Sequence, residues 1–234
     1  GADFLGTWLS PVEFSNQYAQ NRKVTGDKPT LSKHIQFESM ISMTGSNADE
    51  RYVHKPSETG TIALAILSKL GMGMAAPKIT DERVLKAIDK TVAALNAHKG
   101  EALVVCGSND ANIQSVVNAI NEQIGANGKT INWAITSNYR NGIDADMNKL
   151  VDDMNAGAVG AVLISGVNPA YTYADSKKFT DGLSKVVSVS FNANMDETTE
   201  RCNYIIPDHN WLESWGDAEP KTGYFSLIQP VINP

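Results

Sequence analysis

The chain has 234 residues, with 20 Lys and Arg, 26 Asp and Glu, 4 His and 2 Cys, so its formal net charge is −6. This length predicts one large domain or two small ones, and the acidic balance argues against a nucleic-acid interface or an anionic membrane surface, both of which need a basic patch. Two cysteines without a CxxC spacing cannot supply the four thiolates of an iron–sulfur or zinc site, and no apolar stretch is long enough to span a membrane.

The first 79 residues are expected to form a partial α/β segment with an irregular start. Both ends of the sequence look cut from a longer chain, because there is no initiator Met and the first residues read like the end of a strand. The N-terminus does not have the pattern of a signal peptide. Residues 1–33 are predicted to be irregular, with a helix or a surface crossing over 16–28. Partial alternation over 34–43 predicts a strand, and apolar residues following Pro56 predict a buried helix over 57–70, closed by a loop over 71–77.

Residues 80–206 alternate between the two kinds of apolar pattern, which indicates a β/α-alternating, Rossmann-like domain with a mainly parallel sheet flanked by helices. Thr80 is the expected N-cap of the first helix. The predicted helices cover 81–97, 111–124, 144–155, 176–184 and a turn at 197–201. The predicted strands cover 102–106, 130–135, 159–165, 186–191 and 204–206. Residues 207–234 are predicted to be an irregular tail.

Two strand-end loops are the first candidates for a binding site, because ligands of such folds bind at the carboxyl ends of the strands. Gly107, Ser108, Asn109 and Asp110 follow the strand at 102–106, and residues 165–169 follow a later strand. Glycine lets the backbone approach a ligand, and a helix N-terminus favours phosphate. The competing interpretation is that both loops are ordinary tight turns, with Asp110 as a helix cap. Neither loop is a GxGxxG or Walker sequence, which disfavours an ordinary dinucleotide or NTP site.

The other candidate groups give weaker indications of a functional site. The four histidines lack metal-ligand spacing, and no serine lies in a GxSxG context. Cys106 ends an apolar strand and is expected to be a small buried hydrophobe. Two interpretations of Asp208 and His209 are open: they form an acid/base pair, or they are ordinary polar residues of the surface. The segment 211–217, with its two tryptophans, is expected either to pack back on the sheet or to line a cleft or an interface with another chain.

Several strings occurring in order carry a family resemblance: GADFLGTW at 1–8, ADERYVHKPSETGTIALAI at 48–66, SGVNPAYT at 165–172 and the segment 186–220. Together they resemble the molybdopterin oxidoreductase superfamily, the relatives of dimethyl-sulfoxide reductase and formate dehydrogenase. The most similar branch is the molybdopterin-like domain in the large iron–sulfur subunits of bacterial alternative complex III, which oxidises quinol. The segments at 107–114, 168–175 and 207–232 look especially like that branch.

The resemblance implies where a bis-molybdopterin guanine dinucleotide would lie in catalytic members. The GxNP loop falls on Gly166, Asn168 and Pro169, and the PGTD-like loop falls on 56–59, where Ser57 replaces the expected glycine. Asn192 stands where an aspartate is expected, which weakens recognition of a guanine. If a pterin or nucleotide is bound, the candidate contacts are Gly107, Ser108, Asn109, Asp110, Gly166, Asn168, Pro169, Ser57, Glu58 and Asn192.

The departures fit the complex III branch, whose corresponding domain is an empty relic. We therefore expect no cofactor in this chain, no catalytic residue and no metal ligand. By resemblance, iron–sulfur clusters belong to another part of the parent subunit, whose partners are that cluster-bearing domain and other subunits at the periplasmic face of the inner membrane. The alternatives are a cofactor-binding domain of a working molybdoenzyme, or a free-standing α/β protein that binds a small nucleotide at the same loops.

Overall fold

Helices alternate with short parallel strands in the computed structural model, which describes residues 1–73, 75–139 and 141–233. The predicted α/β class, with short parallel sheets flanked by helices, is confirmed. The chain forms two compact units, Gly1–Thr136 and Ser137–Pro234. The domain boundaries drawn from the sequence at 79/80 and 206/207 stay a prediction. The loop predicted over 71–77 includes Met74, which lies outside the described residues.

In its described residues, the first unit combines a two-stranded parallel sheet with five helices. Its elements are α1 (Pro11–Gln20), β1 (Ile35–Glu38), α2 (Met43–Ser46), β2 (Glu50–Val53), α3 (Thr59–Lys69), α4 (Glu82–Ala97) and α5 (Ala111–Gln123). A 3-10 turn, Pro56–Glu58, leads into α3. The core lies where α3, α4 and α5 meet, and Ile88, Ile120 and Ile124 are fully buried there.

Three details of the first unit differ from the prediction. Helix α1 begins within the stretch expected to be irregular and overlaps only the first part of the helix or surface crossing expected over 16–28. Pro11 lies in its first turn, where a missing backbone N–H costs no helical hydrogen bond. The predicted strand over 34–43 ends at Glu38. The N-cap of α4 is Asp81 rather than Thr80, because the Asp81 side chain accepts from the backbone N–H of Arg83.

The segments 102–106 and 130–135 do not join a strand ladder among the described residues, so these two predicted strands are wrong. At Val104 a side chain takes the place of a neighbouring strand. The buried carboxamide of Asn121, on α5, accepts from the Val104 N–H at 2.9 Å and donates to the Val104 carbonyl at 2.8 Å. The backbone polar groups of Val104 are therefore satisfied without a sheet.

The second unit contains a three-stranded parallel sheet in the order β3-β4-β5, followed by a hairpin. Its elements are α6 (Asp144–Asn155), β3 (Ala161–Ile164), α7 (Pro169–Thr172), α8 (Ser176–Leu183), β4 (Val187–Ser190), β5 (Tyr204–Ile205), β6 (Gly216–Lys221) and β7 (Tyr224–Ile228). Val151, Met154, Phe179 and Leu183 join α6 and α8 into its core. A 3-10 turn, Thr199–Arg201, precedes β5.

The tail at 207–234, predicted to be irregular, contains the antiparallel hairpin of β6 and β7. Pro220 and the register shift between Ala218 and Lys221 hide it from pattern analysis, since both interrupt strict alternation. Gly223 makes the turn with a positive φ of 82°. In the described part of the chain, no helix is long and apolar enough to cross a membrane.

Candidate functional site

A cleft of about 380 Å³ opens where β3 and β4 end, at the edge predicted to bind ligands. We call it the strand-end cleft. It is lined by the loop 165–168, the loop 191–196 and Asp208. Gly166, Asn168 and Asn192, three of the residues singled out in the sequence, meet here, while Pro169 is buried at the start of α7. The βαβ topology brings them together although 26 residues separate Gly166 from Asn192.

Asn192 is the centre of the strand-end cleft and is 9% exposed. Its Oδ1 accepts from the Gly166 N–H at 2.7 Å, and its Nδ2 donates to the Val167 carbonyl at 2.9 Å. The same Nδ2 group donates to Asp196 Oδ2 at 2.9 Å and reaches Thr199 Oγ1 at 3.3 Å. The carboxamide thus ties the two loops to each other with both of its polar atoms.

The side chain of Asn168 is also held by hydrogen bonds to the segment that follows β4. Its Nδ2 donates to Glu197 Oε2 at 2.6 Å, and its Oδ1 accepts from the Thr198 hydroxyl at 2.7 Å. The hydrogen bond from Asn168 lowers the pKa of Glu197. Thr198 is fully buried, and its Oγ1 also accepts from the backbone N–H of Ala170. The side chain of Asn168 is therefore engaged by the protein itself.

Asp196 supplies the negative charge that Asn192 lacks. Burial opposes its ionisation, but N–H donors from Thr199, Asn192 and Thr198 outweigh this, so its pKa lies below the usual value. An aspartate at 192 would put a second carboxylate about 3 Å from this one, with strong like-charge repulsion. A neutral side chain at position 192 is therefore compatible with the negative charge of Asp196, whereas a carboxylate there is not.

A second cleft, of about 590 Å³, lies in the first unit. We call it the Glu38 cleft. It brings Gly107 and Ser108 together with Pro56 and Thr59, which flank Ser57 and Glu58. Of the predicted contacts, Gly166, Asn168 and Asn192 therefore line the strand-end cleft, and Gly107 and Ser108 line the Glu38 cleft. The other five line neither cleft.

Glu38 is the charged centre of this cleft, with a side chain 5% exposed. It forms an ion pair with Arg51 and accepts from Ser42 Oγ at 2.6 Å and from Gln36 Nε2 at 3.3 Å. Burial opposes ionisation, but these donors hold the pKa of Glu38 below its usual value. Sequence analysis missed the ion pair of Glu38 and Arg51, because this contact depends on the parallel register of β1 and β2.

His54 lines the same cleft and is 8% exposed. Its Nδ1 donates to the carbonyl of Lys55 at 2.7 Å, because a carbonyl oxygen can only accept. Cys106 also lines the cleft and is half-buried. Both cysteines are free thiols. No group of three His, Cys, Asp or Glu side chains that could hold a metal ion occurs among the described residues.

The remaining predicted contacts serve local turns. Asp110 caps α5 by accepting from the N–H groups of Asn112 and Ile113. The Ser108 hydroxyl accepts from the Asp110 N–H at 3.1 Å, and Glu58 accepts from the Lys55 N–H. A Cβ on Gly107 would lie 3.3 Å from the Ala2 backbone, so the close approach at this glycine is to the protein's own chain. Ser57 lies in the 3-10 turn and Asn109 is exposed.

No family model matches the sequence. The chain is similar to a protein of Nitratidesulfovibrio vulgaris described as the menaquinone reductase, molybdopterin-binding-like subunit, with 24% identity over 276 aligned positions. The alignment covers all of this chain and 40% of the relative, so the chain spans less than half of the relative's length. At this level the similarity supports a relationship to molybdopterin-related oxidoreductases, in agreement with the family resemblance of the sequence.

Proposed function

We propose that this chain is a structural and assembly domain of a respiratory, quinone-linked oxidoreductase, related to molybdopterin-binding domains but without a pterin cofactor of its own. The observation that carries the proposal is the closed hydrogen-bond network around Asn192. In a nucleotide site the polar groups of the strand-end loops would point at the ligand. Here those of Asn168 and Asn192 are bonded to the neighbouring loop.

The residues present do not fit a bis-molybdopterin guanine dinucleotide. The carboxylate expected at 192 is absent, and Ser57 carries a Cβ where the family has a glycine. These features support a domain kept for its shape and surfaces.

The relative's description supports the setting. It is a subunit of a menaquinone reductase and is molybdopterin-binding-like. From the family resemblance of the sequence we further propose that this chain belongs to a membrane respiratory complex of the kind represented by alternative complex III and lies at its periplasmic face. Its neighbours there would be a cluster-bearing domain of the same parent chain and further subunits.

Metal and pterin analysis of the intact native subunit tests the absence of the cofactor. We expect molybdenum, tungsten and pterin far below one equivalent per chain. One equivalent of molybdenum with two of pterin would overturn the proposal in favour of a working molybdoenzyme domain.

A second measurement tests the free-standing nucleotide-binding alternative. Thermal unfolding of this chain is followed with and without GDP or GTP at high excess. A bound nucleotide at about a hundredfold excess over Kd stabilises by about 2.7 kcal/mol. We expect no shift, and a shift of that size that is lost in Asn168→Ala would contradict the structural role.

A further inference from the structure

The hairpin of β6 and β7 presents a face that is both apolar and acidic. Asp217 lies directly opposite Leu227 in the antiparallel register, and Phe225 lies two residues along the same face. Phe225 is 74% exposed and Leu227 is 80% exposed. We call these three residues the hairpin surface. Adjacent large apolar side chains this exposed are typical of an interaction site.

The outer edge of the hairpin is open on one side. The edge of β6 is bonded by Asn138, whose N–H donates to the Pro220 carbonyl and whose Nδ2 donates to the Glu219 carbonyl. No other strand among the described residues pairs with β7, so its outer edge is open in that part of the chain. Its sequence from Tyr224 to Ile228 carries no charge, and natural proteins cover or blunt such an edge.

The charge of the hairpin surface indicates what kind of partner covers the open edge of β7. Asp217 is exposed and makes no ion pair or hydrogen bond with any described residue. The nearest cation on the hairpin is Lys221, whose ammonium lies over the Tyr224 ring at 5.0 Å, on the opposite face. A second copy of this chain, itself at −6, would bring Asp217 towards its own counterpart in a two-fold contact. An anionic bilayer would repel the same face.

We propose that the hairpin surface docks on a different polypeptide, which lays an extended apolar segment bearing Lys or Arg along β7. Backbone hydrogen bonds of β7 would supply affinity, Phe225 and Leu227 would be buried as anchors, and the basic side chain would pair with Asp217. The inference goes beyond the proposed function, because such a surface would serve a cofactor-binding domain equally well.

The test uses the full-length protein in its native cells. A benzoylphenylalanine residue replaces Phe225, the cells are irradiated, and cross-linked peptides are identified by mass spectrometry. We expect cross-links to one segment of another polypeptide, with Lys or Arg within a few residues. The same group at Tyr224, on the opposite face, or at Val12, which is 84% exposed on α1, controls for general stickiness and should give at least tenfold less of this adduct.

A charge variant separates docking from folding. Asp217→Lys should lower the Phe225 cross-link at least tenfold, and changing the partner's cation to Glu should restore it, because the pair would be reversed. Restoration cannot occur if the variant merely misfolds. Cross-links only within this chain, to a second copy, or to lipid would overturn the proposal. So would an unchanged yield in Asp217→Lys.

Discussion

The two clefts hold their loops together with different chemistry. In the Glu38 cleft a buried carboxylate is neutralised by Arg51, which comes from the adjacent strand. In the strand-end cleft the central side chain is the neutral Asn192, and the neighbouring carboxylate of Asp196 is held by N–H donors. A buried ion pair fails when either partner is removed, whereas a neutral network fails when a charge is added. The two units should therefore respond to opposite kinds of substitution.

The largest effect is expected in the Glu38 cleft. Arg51→Leu leaves the Glu38 carboxylate buried without its cation and should lower the free energy of unfolding of the first unit by about 3 kcal/mol. Arg83→Leu removes the same side chain from an exposed pair with Asp81 and should change stability little. Hydrogen exchange read on peptides of each unit measures both. Equal effects of the two variants would contradict the assignment of Glu38 as the cleft's charged centre.

Asn192→Asp tests the neutral network. It removes the donors to Val167 and Asp196 and creates a carboxylate pair, so we expect a loss of about 2 kcal/mol at pH 7. The pair raises the pKa of one carboxyl in the folded state above its unfolded value. The penalty should therefore be fully developed at high pH and shrink as the pH falls towards about 5. Asn194→Asp adds the same charge on an exposed part of the loop and should show no such pH dependence.

A smaller effect is expected at Asp49, which joins α1 to the sheet. The Arg22 guanidinium hydrogen-bonds this carboxyl and lowers its pKa from 3.8 to about 2. Its stabilisation is present above about pH 4 and is lost as the pH falls through 2. Arg22→Gln should destabilise the first unit at pH 6, and the difference from the parent chain should close between about pH 4 and 2. A difference that persists at pH 2 would assign the effect to packing of the arginine stem.

Gly166→Ala gives the smallest change. Gly166 has a φ of 66°, and a Cβ there would meet no atom within 4 Å, so the cost is backbone strain alone, about 1 kcal/mol. Gly160→Ala also adds a Cβ in open space, without a positive φ, and should be neutral. Chemical denaturation of the second unit compares the two. A neutral Gly166→Ala would mean that the loop can relax, against a rigid network around Asn192.

Helices α3, α4, α5, α6 and α8 could be predicted from the sequence because their signals are local. The spacing of Val84, Ile88 and Leu95 predicts α4 nearly to its last residue. The segments 102–106 and 130–135 have the composition of buried strands, but whether such a segment pairs depends on distant residues, and at Val104 the partner is the side chain of Asn121.

The candidate sites also have features that the sequence could predict and features that depend on distant residues. Gly166 and Asn168 could be singled out because ligands of parallel sheets bind at the strand ends, and Asn192 could be singled out from the family resemblance. The sequence did not predict that their polar atoms bond to each other, since that depends on loop conformation. Glu38 and Arg51 lie 13 residues apart on β1 and β2, and only the strand register brings them together.

The contact between Asn121 and Val104 has a consequence for the order in which the first unit opens. The amide proton of Val104 is held by a residue of α5, not by a neighbouring strand. Its exchange with solvent should therefore follow the opening of that helix and report the stability of the α3–α5 packing. Deamidation of Asn121 would turn the donor to the Val104 carbonyl into a second acceptor, which would release residues 102–106 while the helices remain packed.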